Sequence, residues 1–137
     1  MCYFKKGGQM NYYLKKEIDL PYEEAIERAK SALKEEGFGV LTEIDVKKTL
    51  KEKLNVDVRP YIILGACNPP FAYKALEAEP EVGVLLPCNL IVRINEKEKT
   101  EIILMNPEGA MSFIKNEKLE EISKEVTKKL KNVIEKF

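Results

Sequence analysis

Tyr61-Ile62-Ile63-Leu64-Gly65-Ala66-Cys67-Asn68-Pro69 is the stretch that decides the fold class. Tyr61 to Ala66 is one continuous apolar run, the pattern of a central strand buried on both faces. Asn68 then suits a helix N-cap, and Pro69 suits the first helical position, where its missing N–H costs nothing. Phe71, Ala72, Ala75 and Leu76 give that helix an apolar side. A buried strand therefore runs straight into a helix, and the rest of the chain has to supply its neighbours.

Upstream, Tyr12, Leu14 and Ile18 alternate with Lys15, Glu17 and Asp19, which reads as a half-buried strand. Pro21 fits a helix start, followed by Glu23 and Glu24 where the helix dipole favours acids. Tyr22, Ile26, Ala29 and Leu33 recur at helical spacing, and Gly37 is a natural stop. Phe38, Val40, Thr42 and Ile44 alternate again as a second strand. Asp45 can cap a short helix through Val46, Leu50 and Leu54, ended by Asn55.

Downstream, Val82 to Ile94 reads as a strand bent near Pro87, because proline cannot donate to a ladder. Asn95 to Lys99 is a polar turn and Thr100 to Met105 a returning strand, so the two form a hairpin. Asn106-Pro107 starts a short helix through Ile114. The last helix, from about Glu117 to Phe137, carries the stripe Leu119, Ile122, Val126, Leu130, Val133 and Phe137. That stripe fits packing on the sheet or, alternatively, a partner helix. Four to five strands interrupted by helices, with a hairpin among them, predict an α+β domain with an antiparallel or mixed sheet rather than a doubly wound parallel one.

The 137 residues suit a single domain able to bury a core without disulfide or metal staples. Lys5-Lys6-Gly7-Gly8-Gln9 directly precedes Met10, and Gly-Gly codons can spell a bacterial ribosome-binding sequence. Residues 1–9 are accordingly expected to be a non-native or disordered extension, with 10–137 as the domain. Lys plus Arg is 23 and Asp plus Glu is 23, interleaved throughout. No basic face offers itself to nucleic acid or to an anionic membrane surface, so neither is an expected partner. The apolar runs are too short to span a bilayer, and the first residues lack the apolar core of a secretory signal. The expected location is cytoplasmic, where cysteines stay as free thiols, ligands or redox groups.

Two segments carry candidate chemistry: Cys67-Asn68-Pro69 and Pro87-Cys88-Asn89. Each ends or interrupts a strongly apolar strand, and a sheet could place the two positions side by side as neighbours. Cys67 precedes a helix N-terminus, where unpaired N–H groups would favour its thiolate. Both cysteines also read as small buried hydrophobes, and Asn68 as a plain cap. Glu43 and Asp45 would share one strand face, available as acid, base or ligands, or as a solvated face plus a cap. Arg59 and Arg93 could hold an anion. His is absent, which removes His-dependent triads and His-ligated zinc. There is no CxxC, no Gly-x-Gly-x-x-Gly and no phosphate loop, so nucleotide chemistry has no support.

Tyr61 to Pro69, then Ala75-Leu76-Glu77-Ala78-Glu79-Pro80, then Gly83 to Asn89 resemble the family called domain of unknown function 302. Gly37 to Asp45 and Lys48-Thr49-Leu50-Lys51 resemble it too, and the likeness covers roughly Met10 to the C-terminus. The resemblance implies two main helices on one face of a curved antiparallel sheet, TATA-binding-protein-like, plus short helices. It also implies small bacterial and archaeal relatives that tend to form homodimers, with no established activity. Asn106 departs from the Asp that many relatives carry before this proline, which weakens any ligand role there. The fold likeness does not imply DNA binding.

The functional expectation is a small-ligand or soft-metal binding module. Cys67, Asn68, Cys88, Asn89, Glu43 and Asp45 are its candidate ligand-binding residues, and Cys67 and Cys88 the candidate metal ligands. The ligand could be Cu(I), a sulfur-containing molecule or a haem-like group, and no cofactor is identified. Two alternatives stand beside it. One is a thiol-dependent enzyme or redox protein with Cys67 as nucleophile, the Asn68 and Asn89 amides orienting substrate and Glu43 or Asp45 moving protons. The other is a structural dimerisation domain.

Overall fold

The computed structural model describes residues 5–6 and 9–137, with side chains from Asn11 onward. Lys5–Lys6 (β1) and Gln9–Met10 (β2) pair as a two-residue ladder. The expected extension over residues 1–9 and the start at Met10 fall outside the part described with side chains.

From there the order is β3 (Tyr13–Ile18), α1 (Tyr22–Glu35), β4 (Gly39–Asp45), α2 (Val46–Leu54), β5 (Tyr61–Cys67) and α3 (Pro69–Ala78). A 3-10 turn at Pro80–Leu85 follows, then β6 (Cys88–Ile94), β7 (Thr100–Met105), α4 (Pro107–Ala110) and α5 (Glu117–Glu135). Five strands form one open sheet in the order β3-β7-β6-β5-β4, antiparallel throughout. The expected class is α+β, and that is the class found.

Strand alternation explains the core. Leu14 and Ile18, Ile62 and Leu64, Leu90 and Val92, and Ile102 and Leu104 point to one face and are buried there. α1 covers that face with Ala25, Ile26, Ala29, Ala32 and Leu33, and α5 with Val126, Leu130, Val133 and Ile134. Each fully buried leucine among them contributes about 1.5–3 kcal/mol. The α5 stripe thus packs on the sheet. Lys16 reaches the Phe137 carbonyl at 2.9 Å, and Arg28 the Lys136 carbonyl at 2.9 Å. Both cations sit where the helix leaves carbonyls unpaired. A second, smaller cluster of Ala75, Val82, Met111 and Leu119 lies under α3 and α4.

Three local readings change. Val82 to Leu86 is not strand: it belongs to the turn that opens at Pro80, with Val82 N–H on the Glu79 carbonyl and Leu86 N–H on the Gly83 carbonyl. Pro87 has no N–H, so the ladder starts only at Cys88. The alternation of β4 is also broken. Val40 faces Ala66 but Thr42 faces Gly65, so Leu41 is the extra residue of a bulge. The helix begun at Pro107 is shorter than expected, closing at Ala110 rather than Ile114.

Candidate functional site

The C-terminal end of β5 and the start of β6 lie side by side, with Ala66 opposite Cys88. Register thus sets Cys67 one residue past the partner of Cys88. Both line one chamber of ≈ 370 Å³, set between the main core and the smaller cluster. Phe38, Ala66 and Val126 form its inner side, Phe71, Ala72 and Ala75 of α3 one wall, and Met111, Leu119 and Ile122 another. Leu41, Leu76, Gly83 and Leu86 edge it. Leu41 and Leu76 are 67 % and 41 % exposed, so the edge is apolar and open to water. The bulge in β4 is what aims Leu41 there.

The polar side chains on the wall are Asn68 and Ser123, together with the two thiols. Asn68 occupies the N-cap position of α3, yet its side chain does not cap. Its amide donates instead to the Glu36 carbonyl at the end of α1, at 3.3 Å. Gly37 allows this: its φ is +85°, and a Cβ there would lie 3.1 Å from the Asn68 amide nitrogen. The Ser123 hydroxyl makes a long contact of 3.7 Å with the Met111 sulfur. Among the described residues no buried side-chain nitrogen or oxygen lacks a partner. The chamber therefore holds no orphaned donor waiting for a charged group.

The thiols differ in setting. Cys88 is buried, and its burial pushes the thiol up to about 11, with the nearby Cys67 adding to the effect. Cys67 is half-buried and precedes the helix N-terminus as expected. That terminus is nevertheless poor in donors. Positions 69 and 70 are both proline, so Phe71 is the first residue of α3 with an N–H to offer. The expected stabilisation of a Cys67 thiolate by several free N–H groups is not built here.

The remaining candidates are placed elsewhere. Glu43 and Asp45 do share a face, opposite Leu64 and Ile62. Glu43 pairs with Lys30 of α1 at 2.9 Å, and Asp45 caps α2 through the Lys48 N–H at 3.0 Å. Neither lines the chamber. Asn89 is exposed on the opposite face of the sheet, across from Gly65. A Cβ at Gly65 would collide with the Thr42 hydroxyl and lie 2.8 Å from the Pro87 ring, so this glycine lets three strands' worth of side chains close up. Arg59 and Arg93 are engaged by Glu98 and Glu101 at 2.9 and 2.8 Å. Among the described residues no three Cys, Asp or Glu groups gather as a metal cage.

Sequence reasoning brought Cys67, Asn68 and Cys88 to one place and missed Leu41, Met111 and Ser123. Ser123 carried a signal: a hydroxyl inside the stripe between Leu119 and Val126 at helical spacing. Leu41 and Met111 carried none, because a bulge and a chain return put them there.

Fold and site together define an open-faced antiparallel α+β domain with one apolar chamber at the edge of its core. The chain belongs to the family described as domain of unknown function DUF302, whose model matches residues 14–137. It is similar to an uncharacterised conserved DUF302 protein from Bacillus stearothermophilus known from its crystal structure, at 32 % identity and a TM-score of 0.85. That match covers 91 % of this chain and 97 % of the other. A comparison with curated proteins finds no match. Among the described residues no helix is long and apolar enough to cross a membrane.

Proposed function

We propose that the protein binds a small, uncharged, mainly apolar molecule in the chamber beside Cys67 and Cys88. The observation that carries this is a ≈ 370 Å³ space walled almost wholly by hydrocarbon and sulfur. A cavity of only ~150 Å³ with such a lining takes up benzene, and ligand sites commonly span about 300–1,000 Å³. With so few polar groups on its wall, the chamber selects against charge: an ion entering it would lose its hydration without replacement. Asn68 and the Cys67 thiol are the groups left to orient a ligand at the wall.

A second reading is a soft-metal site, and the presence of Cys67, Cys88 and Met111 in the lining of the same chamber favours it. It requires a proton to leave a thiol that burial holds up to about 11. A thiol enzyme is supported less, because Glu43 and Asp45 are occupied away from Cys67.

Titration with N-phenyl-1-naphthylamine, a neutral probe that fluoresces in apolar surroundings, tests the proposal. Saturable one-site enhancement, displaced by unlabelled naphthalene, is expected. Absence of saturable binding contradicts it. Tight uptake of Cu(I) that is lost in the Cys67→Ser, Cys88→Ser double variant, without any binding of the neutral probe, selects the second reading.

A further inference from the structure

The chamber has a polar neighbour. A groove of ≈ 580 Å³ lies between α3 and α5. Lys74 and Glu77 line it from α3, and Lys118, Glu121 and Glu125 from α5. Phe71 and Ile122 line both spaces and therefore form the partition between them. Both are half-buried. The Lys74 and Lys129 ammonium groups sit 5.5 and 5.9 Å from the centre of the Phe71 ring, so positive charge stands at the partition itself. Among the described residues, Lys74, Glu77, Lys118 and Glu121 join no ion pair.

We propose that the chamber's ligand is a neutral single-chain amphiphile of the monoacylglycerol kind, with its chain in the chamber and its hydroxyls in this groove. The inference rests on the chamber being the ligand site proposed above and names the class of molecule that fills it. Three observations choose the class. The chamber wall is almost wholly apolar, which suits a hydrocarbon chain. The edge at Leu41 and Leu76 is apolar and open, and Val84, next to Gly83 on that edge, is exposed as well. A chain end leaving there still meets hydrocarbon, whereas a polar head would find no partner. The groove holds the polar groups, and neither sign prevails in it: Lys74, Lys118 and the nearby Lys129 stand with Glu77, Glu121 and Glu125. Hydroxyls use both signs, accepting from ammonium groups and donating to carboxylates. A charged head would meet a like charge as often as an opposite one. Passage between the two spaces requires the Phe71 ring to turn to another rotamer, and the lysines over that ring then stand where the head emerges.

Displacement of N-phenyl-1-naphthylamine by two neutral esters of the same chain tests the class. 1-Decanoylglycerol carries free hydroxyls and methyl decanoate carries none, and both are used below the concentrations at which they aggregate. The glyceride is expected to displace the probe from the wild type at least about tenfold more tightly, the effect of one charge-assisted hydrogen bond. In a Lys74→Ala, Glu77→Ala double variant, changed at exposed positions of α3, that preference is expected to disappear. Equal displacement by the two esters in the wild type overturns the inference while leaving an apolar chamber site standing, and so does a preference that survives in the double variant. Tighter displacement by decanoate or decylammonium than by the glyceride overturns it too, because the groove then takes a charged head. A wild type that does not bind the probe at all removes the chamber site itself, and this inference falls with it.

Discussion

Replacing Ala72 with leucine should make the protein more stable and less able to bind. Ala72 projects from α3 onto the chamber wall and is half-buried. Leucine adds three carbons, and at ~0.8 kcal/mol per buried CH₂ full burial would contribute about 2.4 kcal/mol. Partial exposure of the site halves that to about 1 kcal/mol. Alanine and leucine differ little in helix propensity, so the backbone cost is small. For a domain of this size 1 kcal/mol raises Tm by about 4 °C. The same three carbons occupy ligand space, so affinity for N-phenyl-1-naphthylamine should fall at least tenfold. Thermal unfolding followed by circular dichroism and the fluorescence titration are run on the same samples. A lower Tm would mean that leucine is overpacked, which costs about 1–3 kcal/mol in a filled interior. That outcome, or a higher Tm with unchanged probe affinity, refutes the reasoning.

Cys88 should resist alkylation by iodoacetamide at pH 8 in the native protein, because its thiol titrates at about 11. The fold favours the protonated thiol, so its contribution to stability is full below the ordinary thiol pKa and disappears as pH rises through 11. At ~1.4 kcal/mol per pKa unit this is about 2–3 kcal/mol, and the stability gap between wild type and Cys88→Ala should narrow by that amount between pH 8 and pH 11. A constant gap, measured by urea unfolding, would show that Cys88 does not titrate differently on folding. Gly65→Ala should destabilise by about 1–3 kcal/mol, since Thr42 and Pro87 fill the space of its Cβ. The loss should be smaller in a Thr42→Ala background, and equal losses in both would argue against that collision. Asn106→Asp should cost about 3 kcal/mol at pH 7. Asn106 is 1 % exposed, and its amide donates to the Asn11 carbonyl at 2.9 Å, a bond a carboxylate cannot make. Protonation restores a donor, so the loss should shrink by pH 5, and a loss independent of pH would point to packing instead.

The strands and main helices were legible because local pattern and tertiary burial agree in them. Tyr61 to Ala66 is apolar since β5 sits between β4 and β6, and the α5 stripe is buried on the sheet it was expected to meet. That Cys67 and Cys88 could meet was suggested by two apolar strands that a sheet might pair, and their place on one chamber follows from the fold around the ends of β5 and β6. What the sequence did not disclose depends on long-range geometry. Asn68 looks like a cap, but the helix opens on Pro69-Pro70 with few N–H groups to cap, and the Asn68 amide donates to the end of α1 instead. Asn89 shares a motif with Cys88, but a period of two sends it to the other face. Glu43 and Asp45 do lie on one face, and only the position of Lys30 and the turn into α2 reveal that both are engaged. The chamber itself arises where two clusters fail to meet, which no single segment records.

Xenon binds apolar space that water leaves dry, and its density identifies such space without any assumption about the natural ligand. Crystals of the wild-type protein under xenon pressure should show the gas between α3, α4 and the thiol of Cys88, with Phe71 and Met111 in contact. A chamber holding ordered water instead, or closed by those two side chains with no xenon inside, would contradict an apolar ligand site.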